Sequence, residues 1–353
     1  MGSAFQAQAI SASLTAMRGF TSPLWPIRYK PFPDELLSCW LVRLAHGHGL
    51  KVQTFCNLMF GNRRQVWNRD VDRLAPAWLV DELILRTGTS PETAWGTTLH
   101  PYEGILYPKF RLSSTLRWIL ALKVYHRTRQ GYGLQFCPTC LAEDEIPYFR
   151  KHWRIALNTV CSTHGTMLFD RCPHCGAAVA FHRLDMAGAE AIDVAPLSYC
   201  HSCQFDFREA VPANPIVYDA DTSSLLLEAC RQFEHDEVLE SEWDLGHFAV
   251  MHQLCRIMTT RYKHAHLREF VLDQIGVPDI ELIGGHIPFE MRTIQERHHL
   301  LQLVGWLMVD LEPRLTAAWR AKAVRYNLLL KDFDDPPMYY KFIAEKFSNW
   351  RDK

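Results

Sequence analysis

Four short knuckles carry the chemistry-bearing residues of this 353-residue sequence: Cys137-Pro-Thr-Cys140, Cys161-Ser-Thr-His164, Cys172-Pro-His-Cys175 and Cys200-His-Ser-Cys203. In each, two residues separate the ligand-type side chains, the spacing at which one tight turn aims both at a single ion. Taken in consecutive pairs they give one set of three cysteines and a histidine and a second set of four cysteines. Either set closes a tetrahedron around Zn²⁺, with thiolate bonds of about 2.3 Å. A complete tetrahedron leaves no position for a reacting water, so both ions are expected to be structural. His174 and His201 lie between the two ligands of one knuckle and are expected to point away from the ion.

Seven of the eleven cysteines fall between Cys137 and Cys203, and the total is odd. Metal binding in a reducing compartment explains this better than a disulfide framework. Cys39, Cys56, Cys230 and Cys255 sit on apolar helical patterns and are expected to be ordinary buried thiols.

Other reactive arrangements are missing from the sequence. It contains no Walker-type glycine-rich loop, no G-x-S-x-G elbow and no acidic cluster suited to two Mg²⁺ ions. A zinc deaminase needs His-x-Glu ahead of its Pro-Cys-x-x-Cys knuckle, whereas His235-Asp-Glu237 follows every knuckle. A zinc metalloenzyme acting on nucleic acid is therefore the weakest of the functional readings, and no catalytic residue is assigned.

The elements that must position the knuckles follow from hydrophobic period and punctuation. Hydrophobic residues make up 48% and charged residues 22%, a composition that calls for folded cores. No apolar run reaches the roughly 18 residues of a membrane span, and no secretory signal is visible, so a cytoplasmic protein is expected. Residues 1–30 are expected to form a flexible leader. Over 31–132, Pro33-Asp34 precedes Leu36, Leu37, Trp40, Leu41 and Leu44, predicting an amphipathic helix with Asp34 as its cap. Shorter helices are predicted over Val52 to Gly61 and Pro76 to Gly88, a helix-turn-helix-like arrangement followed by a basic linker.

Residues 133–213 are dense in Cys, Pro and His and predict small metal-stapled ribbons with short strands such as Ala178 to Phe181. From 214 to 353 the helical period returns, over Leu225 to Phe233, Phe248 to Met258 and His266 to Ile275. A strong helix then opens with Thr293 and Glu296 as a capping box and is expected to stop at Pro313. The predicted fold class is mainly α, with an N-terminal helix-turn-helix-like domain, two tandem zinc ribbons and a helical C-terminal domain.

Charge is unevenly spread. Residues 1–135 hold 16 Lys and Arg against 8 Asp and Glu, while residues 136–353 hold 22 against 31. Between Glu103 and Glu143 no acid intervenes, yet Lys109, Arg111, Arg117, Lys123, Arg127 and Arg129 all lie there. With Arg63 and Arg64 they are candidates for contact with a phosphate backbone; a solvated helix face is the competing reading. Trp67, Trp78 and Trp95 are expected to pack in the core rather than stack on bases.

Several of these segments together resemble the TniQ family. They are Pro31-Phe-Pro-Asp-Glu-Leu-Leu-Ser-Cys39-Trp-Leu-Val-Arg-Leu-Ala-His, then Gly133-Leu-Gln-Phe-Cys137-Pro-Thr-Cys140, Phe149-Arg-Lys-His-Trp153-Arg, Val160-Cys-Ser-Thr-His164-Gly and Arg171-Cys-Pro-His-Cys175-Gly. The resemblance covers about residues 31–205. Beyond that it is loose, resting on helical content and on Pro288-Phe-Glu and Asn327-Leu-Leu-Leu. It implies a non-catalytic target-selection protein of a bacterial transposon. Such proteins engage attachment-site DNA or an RNA-guided CRISPR surveillance complex of Cascade type and recruit an AAA+ ATPase regulator of the transposase. A homodimer is also implied. The alternative within the family is a stand-alone sequence-specific DNA-binding protein of TnsD type, whose C-terminal extension this chain is too short to include in full.

Overall fold

Residue Asp34 does not begin the first helix. The computed structural model describes residues 23–61, 66–112, 115–122, 131–186, 197–234, 243–260, 265–283 and 287–347. In it α1 spans Leu37–Gly47 with Leu36 as N-cap and no side-chain cap bond from that residue. Its free N-terminal amide at Ser38 donates instead to Asp72 Oδ1 at 2.7 Å, and the Ser38 hydroxyl donates to Asp72 Oδ2 at 2.9 Å. Asp34 adopts φ 54 and turns its carboxylate to His152. The helix is capped from a distant segment because Leu37 through Ala45 are all buried, leaving no local water for its first turn.

Helix α2 (Val52–Phe60) stops at Gly61, whose φ of 81 releases the chain. A one-turn α3 (Val71–Leu74) follows, with Asp70 accepting from Arg73 N–H. α4 (Ala77–Thr87) runs from Pro76 to a left-handed Gly88, and α5 (Pro91–Gly96) opens on a Ser90 cap. Trp25, counted in the expected leader, is buried, its ring 5.1 Å from that of Phe55, and its N–H donates to Arg86 O.

Among the described residues there are thirteen α-helices and no strands, so the fold is mainly α. The short strands expected in the metal-rich region reduce to isolated bridges, and Phe181 opens a 3-10 turn. α6 (Pro138–Glu143) is the helix of that region. No helix of the described residues is long and apolar enough to cross a membrane.

The helical C-terminal part comprises α7 (Ala220–Arg231), α8 (Leu245–Met258), α9 (Leu267–Ile275), α10 (Ile294–Val309), α11 (Leu311–Arg320), α12 (Tyr326–Leu330) and α13 (Met338–Glu345). α10 is its axis, packing against α7, α8 and α9. Its N-terminus carries the full Thr293–Glu296 capping box. Pro313 does not stop α10. The break falls at Asp310 (φ −146, ψ 68), and Pro313 sits in the first turn of α11, where a missing N–H costs nothing. Gly305 lets α7 approach α10 closely: a Cβ there would lie 2.7 Å from Thr222 Cγ2.

Within the expected basic linker, residues 116–120 form a largely buried strap, whereas Lys109 and Arg111 are exposed. Leu116, Trp118, Ile119 and Leu120 are at most 4% exposed. Trp118 N–H donates to Glu290 Oε1 at 2.9 Å and its indole to Phe248 O at 3.0 Å, while Leu120 N–H donates to Arg154 O. The strap joins C-terminal helices to the first metal knuckles, and one continuous apolar core runs through all three regions.

Candidate metal centres and their seating

Three knuckles are built on one backbone frame. Cys161, Cys172 and Cys200 each donate N–H to the carbonyl five residues on, at Thr166, Ala177 and Phe205. Each also accepts from the residue four positions on, Gly165, Gly176 and Gln204. Those three residues have φ of 65, 71 and 62, the left-handed turn that brings the chain back over its own ligands. Glycine supplies it twice. Gln204 adopts it against the usual side-chain penalty. The knuckle at Cys137 differs: Pro138 begins α6, so Cys140 is presented from a helix.

The eight ligand-type residues come together as two groups, Cys137, Cys140, Cys161 and His164, and Cys172, Cys175, Cys200 and Cys203, with ligand atoms within 4.8 Å of one another in each. Both groups could hold a metal ion. In the first, Cys140 and Cys161 Sγ are 3.6 Å apart, and His164 Nδ1 lies 3.5, 3.3 and 3.5 Å from the sulfurs of Cys137, Cys140 and Cys161. In the second, the Cys172–Cys203 and Cys175–Cys200 separations are 3.6 and 3.7 Å. A tetrahedral ion with bonds of about 2.0 Å to nitrogen and about 2.3 Å to sulfur needs its ligand atoms about 3.5 Å (N to S) to about 3.8 Å (S to S) apart, so the donor sets fit. Disulfide bonding needs about 2.05 Å and does not fit. Such crowding splits the thiols' acidities: hydrogen bonds from Cys140 and Cys161 pull the Cys137 thiol far down, and the reciprocal bonds push Cys140 up.

Glu143, which was not singled out from the sequence, completes the first centre. Its Oε2 lies 3.0 Å from His164 Nε2, the ring nitrogen facing away from the sulfurs. A carboxylate there fixes the tautomer that leaves Nδ1 free to ligate. The signal was available: Glu143 follows Cys140 by three residues on one helix, hence on the same face. His174 and His201 belong to neither group; the His174 ring instead stacks 5.9 Å from Phe205. Phe136 lies between Phe169 (5.4 Å) and Phe207 (4.4 Å), an aromatic seam shared by both centres.

The first centre is seated on the N-terminal helices by buried ionic contacts. Asp34 Oδ2 lies 2.5 Å from His152 Nδ1, and Lys151 N–H donates to Asp34 O at 2.6 Å. Within the N-terminal part itself, Glu35 receives both Arg43 Nε and Nη2, at 2.8 and 2.7 Å. Fully buried Arg154 donates to Asp70, to Asp72 and to Leu120 O. On the other side, Arg297 of α10, also fully buried, donates to Ala156 O and Gln135 Oε1. With no carboxylate in direct contact, burial lowers its pKa to about 10.

The remaining sequence candidates divide. Arg63, Arg64, Lys123, Arg127 and Arg129 lie outside the described residues. Lys109 and Arg111 are exposed and Arg117 is half-buried, and the three line one cleft with the C-terminal helices. Trp67, Trp78 and Trp95 all pack against the core, Trp67 stacking 5.2 Å from His182. Cys39, Cys56, Cys230 and Cys255 are buried, and desolvation raises the thiols of Cys39, Cys230 and Cys255.

The described residues are mainly helical and carry two tandem four-ligand groups that could each hold a metal ion, the arrangement of a metal-stapled scaffold. The family model TniQ matches residues 26–168, so that region of the chain is similar to the TniQ family. The match spans the N-terminal helices and every ligand of the first centre; the second lies beyond it. No curated protein matches the chain.

Proposed function

We propose that this chain is a non-catalytic target-selection adaptor of a bacterial transposon, linking a target complex to an AAA+ ATPase regulator and the transposase. The target is an RNA-guided CRISPR surveillance complex or attachment-site DNA. Two Zn²⁺ ions, held by Cys137, Cys140, Cys161 and His164 and by Cys172, Cys175, Cys200 and Cys203, are structural. The observation that carries the reading is the coincidence of the family match with one physical unit: residues 26–168 enclose the N-terminal helices, the first centre and the Arg154 network between them. Closed donor sets support a scaffold over a reaction site. The positive balance of residues 1–135 supports contact with phosphates through the N-terminal part, contacts that position and do not specify sequence.

Co-expression of the full chain with an AAA+ regulator and a Cascade-type complex tests this. The expected result is recovery of the regulator on the tagged chain, with the ribonucleoprotein or attachment-site DNA as second partner. A chain that retains two metal ions yet recovers neither target nor regulator would refute the adaptor role.

A further inference from the structure

A cleft of about 960 Å³ opens where the described stretch of residues 107–111 and 115–117 meets α8, residues 287–292 and residues 328–338. Its lining is divided by charge. Lys109, Arg111 and Arg117 come from the first segment and Asp334 and Asp335 from the last. Among the described residues, none of these five side chains forms a hydrogen bond or ion pair. Lys109, Arg111, Asp334 and Asp335 are exposed; Arg117 is half-buried, close enough to Glu290 and Asp334 for both to raise its pKa against the larger lowering by burial. Between the charged stretches lie buried Ala249 and Phe289, and Met338 stands 81% exposed at the margin.

Unpaired groups of both signs around an apolar centre select their occupant. A nucleic-acid strand satisfies the cations but brings its phosphates beside Asp334 and Asp335, and like charges in contact cost several kcal/mol. A small molecule needs walls that bury most of its surface, whereas here the charged lining is largely open to solvent. A polypeptide places side chains of either sign on one strand, with an apolar residue between them. We propose that this cleft docks an extended segment of a partner protein, with acidic residues against Lys109, Arg111 and Arg117, an apolar anchor against Phe289 and Met338, and a basic residue against Asp334 and Asp335. The inference is independent of the adaptor reading: a cleft without a peptide leaves target selection in place, and the converse also holds.

The test selects a random dodecapeptide phage library on the metal-loaded full chain. Two charge reversals at exposed positions, Lys109→Glu with Arg111→Glu and Asp334→Lys with Asp335→Lys, serve as controls, with unchanged thermal melting confirming their folds. The expected consensus has an acidic cluster and a basic residue flanking an apolar one. A synthetic consensus peptide should weaken by about tenfold or more on either reversal. Swapping the peptide's charges should restore binding to a protein carrying both. Failure to enrich any sequence over the reversed proteins overturns the proposal. So does a purely acidic consensus displaced by a single-stranded 20-mer DNA, which would make the cleft a nucleic-acid groove.

Discussion

The Arg154 guanidinium and the Asp70 carboxylate, 84 residues apart in sequence, meet at 2.5 Å, and the same arginine reaches Asp72 at 3.0 Å. Because Asp72 caps α1, a single side chain from the first metal region holds the N-terminus of the most buried helix. Replacing it with methionine strands Asp72 as an uncompensated charge. Arg154→Met should lower the stability of the full chain by about 3 to 5 kcal/mol in urea unfolding. Adding Asp72→Asn should recover part of that loss, since the stranded charge is then gone. A double variant as unstable as the sum of the two single ones would place the effect elsewhere.

Asp72 also sets a pH dependence. Burial raises its carboxyl from 3.8 to about 6, against the pull of Arg154. A carboxyl whose folded pKa is raised favours folding while protonated. Its contribution is complete below pH 3.8 and is lost as pH climbs through about 6. The stability of wild type minus that of Asp72→Asn should therefore fall between pH 4 and 6, with a slope approaching about 1.4 kcal/mol per pH unit. Taking the difference cancels acid effects common to both proteins, metal loss included. A flat difference curve would mean that Asp72 titrates normally.

Metal removal should act unequally at the two centres. The native chain is expected to carry about two zinc equivalents by elemental analysis, and Cys137→Ser and Cys172→Ser should each remove one. Cys137→Ser should lower the melting temperature more. The first centre's three cysteines are all buried and its knuckle carries Phe136 into the core, whereas Cys175 of the second is exposed. Equal shifts would contradict the seating described for the first centre.

Gly305→Ala should cost about 1 to 3 kcal/mol, because the new methyl group meets Thr222 Cγ2 at 2.7 Å and Leu226 Cγ at 3.3 Å. Thr222→Ser in the same protein removes the first of these contacts and should relieve part of the cost in chemical denaturation. No relief would show that Leu226 or the helix axes take up the strain.

What could be read from the sequence was what is local. Ligands two residues apart, glycines at the ends of α2 and α4, and the Thr293–Glu296 box are decided within one turn of chain, and each stands where its spacing put it. Asp34 misled because an aspartate before an apolar helical pattern has the local form of a cap, while its partner His152 lies 118 residues away. Pro313 misled because proline is equally at home after one helix and inside the first turn of the next. The strap around Trp118 has the local form of a phosphate-contacting or solvated stretch because its flanks are basic; its burial depends on Glu290 and Phe248, far along the chain.

The seating of the first centre also limits how this protein can be cut or exchanged. A crossover between Leu74 and Lys151 would take Asp34, Asp70 and Asp72 from one parent and His152 and Arg154 from another, so both parents must carry matching halves of the same buried lock. Past Ala210 the constraint passes to contacts such as those made by Arg297, by His298 with Thr159, by Phe233 with Tyr102 and by the strap. Chimeras joined there, not at the first cysteine, are the ones whose N-terminal helices keep their electrostatic partners.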